Sequence, residues 1–341
     1  TAAISCNGGN NGTATVSIAG GTVPYAILWS NAAQTTATII GLTAGTYCAT
    51  VTDNNGCIAT ACATLTAPSA ITTVVTTTPA LCLGSANGTA TVTAAGGTGG
   101  YGYNWSNGQT TATAAGLTAA GSPYSVTVTD ANMCSTVATA IIGQPATAVA
   151  VTASVTTNYN GAQISCAGAS DGNITANAVG GTVTTGYSYL WSSGQPTASV
   201  SGLMANTYCV TATDNNGCTA TACVTVTQPS QVTATITAST NVNCQAGSTG
   251  SATVAGTGGT VTTGYTYNWS NGQTTATATG LLAGSYTVTV TDNNNCSTTT
   301  IVVITAPVST VTASVTTAAI SCNGGNNGTA TVSIAGGTVP Y

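Results

Sequence analysis

The segment Tyr124-Ser125-Val126-Thr127-Val128-Thr129-Asp130-Ala131-Asn132-Met133-Cys134 decides the class of the fold. Tyr124, Val126, Val128 and Asp130 share one face of an extended chain, and Ser125, Thr127 and Thr129 share the other. This is the period-two pattern of a half-buried strand. Tyr286, Val288 and Val290 repeat it against Thr287, Thr289 and Thr291. Further strands are predicted over residues 13–19, 25–30, 36–40 and 58–66, and after each closing proline, as at 232–238. Thr and Val are β-branched and favour strands, whereas Gly, Asn and Pro favour turns. No 3.6-residue apolar pattern of useful length occurs, so the class is all-β.

Composition narrows function. The 341 residues contain no Lys, Arg, His, Glu or Phe, and the formal net charge is −5. The side-chain carboxylates are Asp53, Asp130, Asp171, Asp214 and Asp292. The usual general acids and bases are therefore missing, and neither a Ser-His-Asp nor a Cys-His site can be built. No cation is present to meet phosphate, nucleic acid or an anionic membrane surface. A catalytic role, a cofactor and a nucleic-acid partner are not expected, and no apolar run approaches a membrane span. The hydrophobic fraction of 43% is that of a globular chain.

Internal repetition sets the organisation. Trp29, Trp105, Trp191 and Trp269 recur in near-identical settings, each preceded by Gly-Gly-Thr and a tyrosine, as in Gly20-Gly21-Thr22 with Tyr25. Each is followed by Gly-Leu and a second tyrosine: Tyr47, Tyr124, Tyr208 and Tyr286. An Asp and a Cys four residues apart come next: Asp53/Cys57, Asp130/Cys134, Asp214/Cys218 and Asp292/Cys296. Pro68, Pro145, Pro229 and Pro307 close the units. The predicted domains are thus 1–68 (repeat 1, its first strand outside this segment), 69–145 (repeat 2), 146–229 (repeat 3) and 230–307 (repeat 4). Residues 308–341 begin another repeat. Thr317 to Tyr341 reproduces Thr1 to Tyr25 without a change, an offset of 316 residues. The chain therefore reads as part of a longer tandem array.

About seven short strands around one buried Trp predict an immunoglobulin-like sandwich for each repeat. The Leu-x-Ala-Gly-x-Tyr stretch at Leu42 to Tyr47 predicts a tyrosine corner. Both the Trp and the second-Tyr series are read as core aromatics.

These motifs resemble the SprB-type repeat of Bacteroidota giant cell-surface and gliding adhesins. The resemblance rests on a Cys-x-Gly opening, Gly-Gly-Thr-x-x-Tyr, Trp-Ser-Asn-Gly-Gln-Thr-Thr, Gly-Leu-x-Ala-Gly-x-Tyr, Thr-Asp-x-x-x-Cys and the closing Pro. It covers essentially the whole chain. It implies a very long secreted surface protein exported by the type IX route, some members serving adhesion or gliding. Departures are local: Asn206 replaces the corner Gly, Ala32-Ala33 replaces Gly-Gln, and Pro196 interrupts Gln-Thr-Thr.

Thirteen cysteines are odd in number, and the repeat accounts for this. Each unit has one early and one late Cys, pairing as Cys6/Cys57, Cys82/Cys134, Cys166/Cys218 and Cys244/Cys296; Cys322 is an early member alone. Repeats 1 and 3 add Cys48/Cys62 and Cys209/Cys223. If Asp53 and Cys57 flank a three-residue turn, opposed residues sum to 110, and so do Cys48 and Cys62. Repeats 2 and 4 have Ser125/Thr139 and Thr287/Ile301 there, so both cysteines are lost together, as expected for a bond. Loop entropy assigns about 4 kcal/mol to a long bridge and about 3 kcal/mol to a short one. Cysteine-only zinc is the alternative, but its Cys-x-x-Cys spacing is absent. Disulfides imply an oxidising, extracellular location.

The Asp-Asn-Asn-Gly turn raises calcium, but one or two Asp per unit favour an Asx turn instead. Two functional readings remain. In the first, the chain is the structural shaft of an extracellular fibre or giant surface adhesin. Stapled sandwiches in an elongated, stiff, protease-resistant rod would then associate with copies of themselves. In the second, the units bind surface glycans through exposed tyrosines near Tyr101/Tyr103, Tyr187/Tyr189 and Tyr265/Tyr267.

Overall fold

The computed structural model describes residues 1–31, 34–337 and 340–341; the departure at Ala32-Ala33 lies outside the described residues. Every regular element among the described residues is a strand. Repeat 1 holds β1 (Gly12–Thr15), β2 (Ala26–Trp29), β3 (Thr38–Leu42), β4 (Gly45–Thr52) and β5 (Ile58–Leu65). Repeat 2 holds β6 (Thr72–Thr78), β7 (Gly88–Ala95), β8 (Gly102–Trp105), β9 (Thr113–Leu117), β10 (Tyr124–Thr129) and β11 (Ser135–Ala140). Repeat 3 holds β12 (Ala150–Val155), β13 (Gly172–Val179), β14 (Ser188–Trp191), β15 (Ser199–Leu203), β16 (Asn206–Thr213) and β17 (Thr219–Val226). Repeat 4 holds β18 (Thr233–Thr240), β19 (Gly250–Thr257), β20 (Thr266–Trp269), β21 (Thr277–Leu281), β22 (Gly284–Thr291) and β23 (Ser297–Ile304). A last hairpin joins β24 (Thr312–Ala318) to β25 (Thr329–Ala335).

Repeat 2 shows the plan. One antiparallel sheet has the order β6-β7-β9 and the other β11-β10-β8. Their inner faces meet in one core of Ala90, Val92, Trp105, Ala114, Leu117, Val126, Val128 and Ala140. Alternation along β10 does this directly: Val126 and Val128 are fully buried while Thr127 and Thr129 face outward. Repeats 3 and 4 have the same two three-stranded sheets and equivalent cores around Trp191 and Trp269. The tandem immunoglobulin-like sandwich class is thus the observed one. Six strands per complete repeat replace the expected seven. The reason lies after each Trp: Ser106 to Ala112 is spent on a turn in which Gly108 N–H donates to Trp105 C=O (2.9 Å) and Trp105 N–H to Gln109 C=O (2.8 Å). No length remains for another strand.

The chain divides into two compact units. One is Thr1–Val149 with Gly180–Gly186 and Thr213–Cys218; the other is Ala150–Val179, Tyr187–Ala212 and Thr219–Tyr341. In the first unit, repeat 1 departs from the plan. Its sheet has only β1 and β3, and β1 stops at Thr15 rather than running to Ala19. In the second unit, the identical sequence 329–335 is strand throughout, paired to β24. Residues 16–19 are irregular in repeat 1, whereas the same residues at 332–335 are strand beside β24.

Candidate functional site

The late Asp-x-x-x-Cys motif builds a rigid tip at the hairpin between the last two strands of each repeat. In repeat 2 the Asp130 carboxylate accepts from Asn132 N–H and Cys134 N–H at 2.9 Å each, which closes the turn. Its second oxygen accepts from Thr98 N–H at 2.9 Å, in the Gly96-Gly97-Thr98 loop. The same three bonds recur at Asp53 with Thr22, Asn55 and Cys57, at Asp214 with Thr182, Asn216 and Cys218, and at Asp292 with Thr260, Asn294 and Cys296. The Asx turn expected from sequence is therefore one half of a larger clamp. The glycine doublet is needed because Gly97 has φ +62°, and a Cβ there would lie 2.6 Å from Asp130 Oδ2 and 2.8 Å from Ile71. Asp130, Asp214 and Asp292 are buried.

Hydrogen bonds to the ionised form set the electrostatics. The Thr98 N–H, aided by Cys134 and Asn132, holds the Asp130 carboxyl below its ordinary range against the opposing effect of burial. Thr182 does the same for Asp214, and Thr22 followed by Cys57 for Asp53. Burial pushes Asp171 upward, but hydrogen bonds from Ser165 outweigh it and its carboxyl also sits low.

What the tip holds is the early cysteine of the preceding repeat. Cys6 is bonded to Cys134, Cys82 to Cys218 and Cys166 to Cys296, with Cα–Cα distances of 5.6, 5.7 and 5.6 Å. This corrects the within-repeat pairs Cys6/Cys57, Cys82/Cys134, Cys166/Cys218 and Cys244/Cys296. Strand length explains the correction. Cys82 lies in the loop before β7, whereas Cys134 lies at the tip clamped to the loop after β7. Eight residues of strand hold those ends about 25 Å apart, far beyond the reach of a disulfide. β19 separates Cys244 from Cys296 in the same way. Cys57, Cys244 and Cys322 are free thiols.

The asparagine two residues after each Asp adds a polar bond to the same loop. Asn132 Nδ2 donates to Ser5 C=O, Asn216 to Leu81 C=O and Asn294 to Ser165 C=O, each at 3.1 Å. Asn7 Nδ2 donates to Pro68 C=O at 2.9 Å, and Gln144 and Gln228 accept from Gly84 and Gly168 N–H at 2.9 and 2.8 Å. The early-Cys loops of repeats 1 to 3 are thereby tied to the residues around their own closing Pro. Sequence reasoning missed these asparagines; their fixed place after the Asp was the available signal.

The two short bridges lie within hairpins. β4 and β5 pair with opposed residues summing to 110, and Cys48 and Cys62 face each other at a Cα–Cα distance of 4.0 Å and are bonded. Cys209 and Cys223 are bonded equivalently at 3.9 Å. Ser125 is opposite Thr139 and Thr287 opposite Ile301.

The aromatics support the clasp from inside. Trp29, Trp105, Trp191 and Trp269 are buried, and each indole N–H donates at 2.9 Å to a threonine carbonyl: Thr36, Thr111, Thr197 and Thr275. Tyr47, Tyr124, Tyr208 and Tyr286 donate to Thr43, Thr118, Met204 and Leu282 carbonyls, the bond of a tyrosine corner. Tyr47 and Tyr208 are buried; Tyr124 and Tyr286 are half-buried. The tyrosines considered for glycans are not fully exposed. Tyr101, Tyr103, Tyr189, Tyr265 and Tyr267 pack on the cores, Tyr187 is half-buried, and the Tyr101 and Tyr265 hydroxyls donate to Gly96 and Gly258 carbonyls.

Comparison with known proteins follows this pattern of repeats. No curated protein matches the chain. Among solved structures, the chain is similar to the N-terminal eight Ig domains of Down Syndrome Cell Adhesion Molecule (12% identity, TM-score 0.26), covering 89% of this chain and 59% of that one. It is also similar to a tetra-tandem repeat in the extending region of a large adhesion protein (15% identity, TM-score 0.25), covering 89% of this chain and 93% of that one. A third is the first four extracellular cadherin domains of Protocadherin Gamma B7 (10% identity, TM-score 0.28), at 82% and 91% coverage. The SprB repeat model matches five times, at residues 2–34, 74–110, 158–196, 236–274 and 314–341, together just over half of the chain. With four of those matches falling on the repeats that carry the glycine doublet and the buried Trp, and the fifth on the terminal hairpin with its own Gly336-Gly337, the chain belongs to the SprB repeat family.

Proposed function

We propose that this chain is a load-bearing shaft segment of an extracellular fibre or giant surface adhesin, each repeat 1–68, 69–145, 146–229 and 230–307 being one domain of it. One observation carries the reading: in repeats 1 to 3 the early cysteine is bonded to the late cysteine of the next repeat. The bridged loops 6–134, 82–218 and 166–296 overlap. Every peptide bond from Cys6 to Cys296 is therefore spanned by at least one disulfide. Tension on a domain is shared with its neighbour through a covalent bond rather than through hydrogen bonds in series. Such disulfides persist in oxidising compartments, which supports an extracellular location. Near-absence of charge removes the repulsion that would keep chains apart, which supports lateral association of copies. The missing Lys and Arg deny trypsin-like proteases a site. Peptide mapping of the non-reduced protein tests the reading: a Cys6–Cys134 linked peptide supports it, and a Cys6–Cys57 peptide overturns it.

A further inference from the structure

Repeat 3 carries a loop that repeats 2 and 4 lack. The apolar residue that meets the glycine doublet stands 11 or 12 residues before the early cysteine in repeats 2 and 4 (Ile71 and Cys82, Val232 and Cys244) but 17 before it in repeat 3 (Val149 and Cys166). Two equivalent bonds fix where the difference from repeat 4 falls. Asn241 Oδ1 accepts from Thr305 N–H at 2.9 Å, and Gln163 Oε1 accepts from Thr227 N–H at 2.8 Å. Both side chains stand three residues before the early cysteine, so the five extra residues precede Gln163: Asn158-Tyr159-Asn160-Gly161-Ala162.

The inserted loop is fastened on two sides. Tyr159 and Ala162 exchange backbone hydrogen bonds at 2.7 and 2.9 Å, and Asn158 Oδ1 accepts from Gly161 N–H at 2.7 Å, which closes the loop as a small hairpin. The half-buried Tyr159 donates its hydroxyl to Asp171 C=O at 3.3 Å and so holds the hairpin on its own repeat. The other side meets the tip of repeat 4. Asn160 Nδ2 donates to Asn294 Oδ1 at 2.7 Å and to Asn293 C=O at 3.3 Å, and Asn294 Nδ2 donates back to Tyr159 C=O at 3.1 Å.

These bonds add to a clasp that already follows the common plan. Asn294 also donates to Ser165 C=O, just as Asn132 donates to Ser5 C=O and Asn216 to Leu81 C=O. The loop covers the tip as well as bonding it: Asn293 and Asn294 are half-buried, whereas Ala131, Asn132 and Asn215 at the other two bonded tips are exposed. Contacts that keep two sulfurs adjacent raise the effective concentration of one for the other, and by linkage they favour the closed disulfide by the same factor.

Resting on the clasp reading, we infer that residues 158–162 are a non-covalent lock on the junction between repeats 3 and 4. The lock holds Cys166 beside Cys296 when their bond is open, so this clasp resists reduction more than Cys6–Cys134 and Cys82–Cys218 do. In a load-bearing shaft it is the junction that stays docked while its neighbours open. Opening by a dithiol such as dithiothreitol passes two electrons and two protons to the pair of sulfurs, leaving two protein thiols and the cyclic disulfide of the reagent.

The test equilibrates the full chain with mixtures of reduced and oxidised dithiothreitol, traps the thiols by alkylation and counts each clasp by peptide mapping. Half-opening of Cys166–Cys296 should need a reduced-to-oxidised ratio about tenfold above that of Cys82–Cys218, about 30 mV for a two-electron couple. Two variants remove the lock. Asn160→Gly deletes the amide and keeps the backbone, because φ at Asn160 is +50° and glycine tolerates it. Deletion of residues 158–162 leaves the spacing of repeat 4, which folds with that length. Each should lower the Cys166–Cys296 midpoint about tenfold and leave the Cys6–Cys134 and Cys82–Cys218 midpoints where they were. An unchanged Cys166–Cys296 midpoint in either variant, or an equal fall at all three bonds, would overturn the lock while the clasps stand. A missing Cys166–Cys296 peptide in the untreated chain would overturn the clasp reading and the lock with it.

Discussion

Pulling the chain by its ends should release far less length than 341 residues contain. Cys6 and Cys296 are 290 residues apart, which is about 1,000 Å when fully extended at about 3.6 Å per residue. With the clasps closed, the shortest covalent path runs from Cys6 across to Cys134, along 32 residues to Cys166, and across to Cys296. Its fully extended length is about 125 Å. Pairing within repeats would leave 83 residues of unbridged backbone on that path, about 320 Å with the crossings. Terminal handles add the same outer segments to every trace, so differences are diagnostic. Single-molecule force extension with and without reductant should therefore differ by about 900 Å, against about 700 Å for pairing within repeats. Replacing Cys134 with Ser sharpens the distinction. The shortest path then uses Cys82–Cys218 and Cys166–Cys296 together with the hairpin bridges Cys48–Cys62 and Cys209–Cys223 and contains 110 residues, an increase of about 290 Å. Loss of a Cys82–Cys134 bond would instead add about 190 Å. An oxidised trace that extends to about 1,000 Å, or a C134S increase near 190 Å, would refute the overlapping clasps.

Three other outcomes are expected. A single proteolytic nick anywhere between Cys6 and Cys296, for example by chymotrypsin at an aromatic residue, should leave full-length mass on a non-reducing gel and separate into fragments only after reduction. The carboxyls of Asp53, Asp130, Asp171 and Asp214 lie below their ordinary range in the folded state, so their contribution to stability is present above the unfolded value and lost as pH falls through the lowered folded values. Melts followed by near-UV circular dichroism should be flat from neutral pH down to about 4 and then fall, and Asp130→Asn should flatten that fall. Met133 has φ +67° where repeats 1 and 3 place Gly56 and Gly217 at φ +82°; Met133→Gly should stabilise repeat 2 by about 1 kcal/mol, read as a raised unfolding midpoint in denaturant.

The alternation in Tyr124 to Asp130, the Trp spacing and the Leu-x-Ala-Gly-x-Tyr stretch made the all-β class, the sandwich and the tyrosine corner legible, because strand periodicity is a local property of the chain. The hairpin register through Cys48 and Cys62 was equally legible, since a short turn fixes which residues stand opposite. The extra strand expected in each repeat failed on another local fact: the turn after Trp uses all the intervening residues. The partners of Cys6, Cys82 and Cys166 could not be read, because sequence spacing is silent about which end of a sandwich a loop occupies. By itself, then, the sequence determined what each repeat is. Only the tertiary structure decided how repeats are bonded, because a strand about 25 Å long carries a repeat's two cysteines to opposite ends and leaves the neighbouring repeat as the one within reach of a sulfur–sulfur bond.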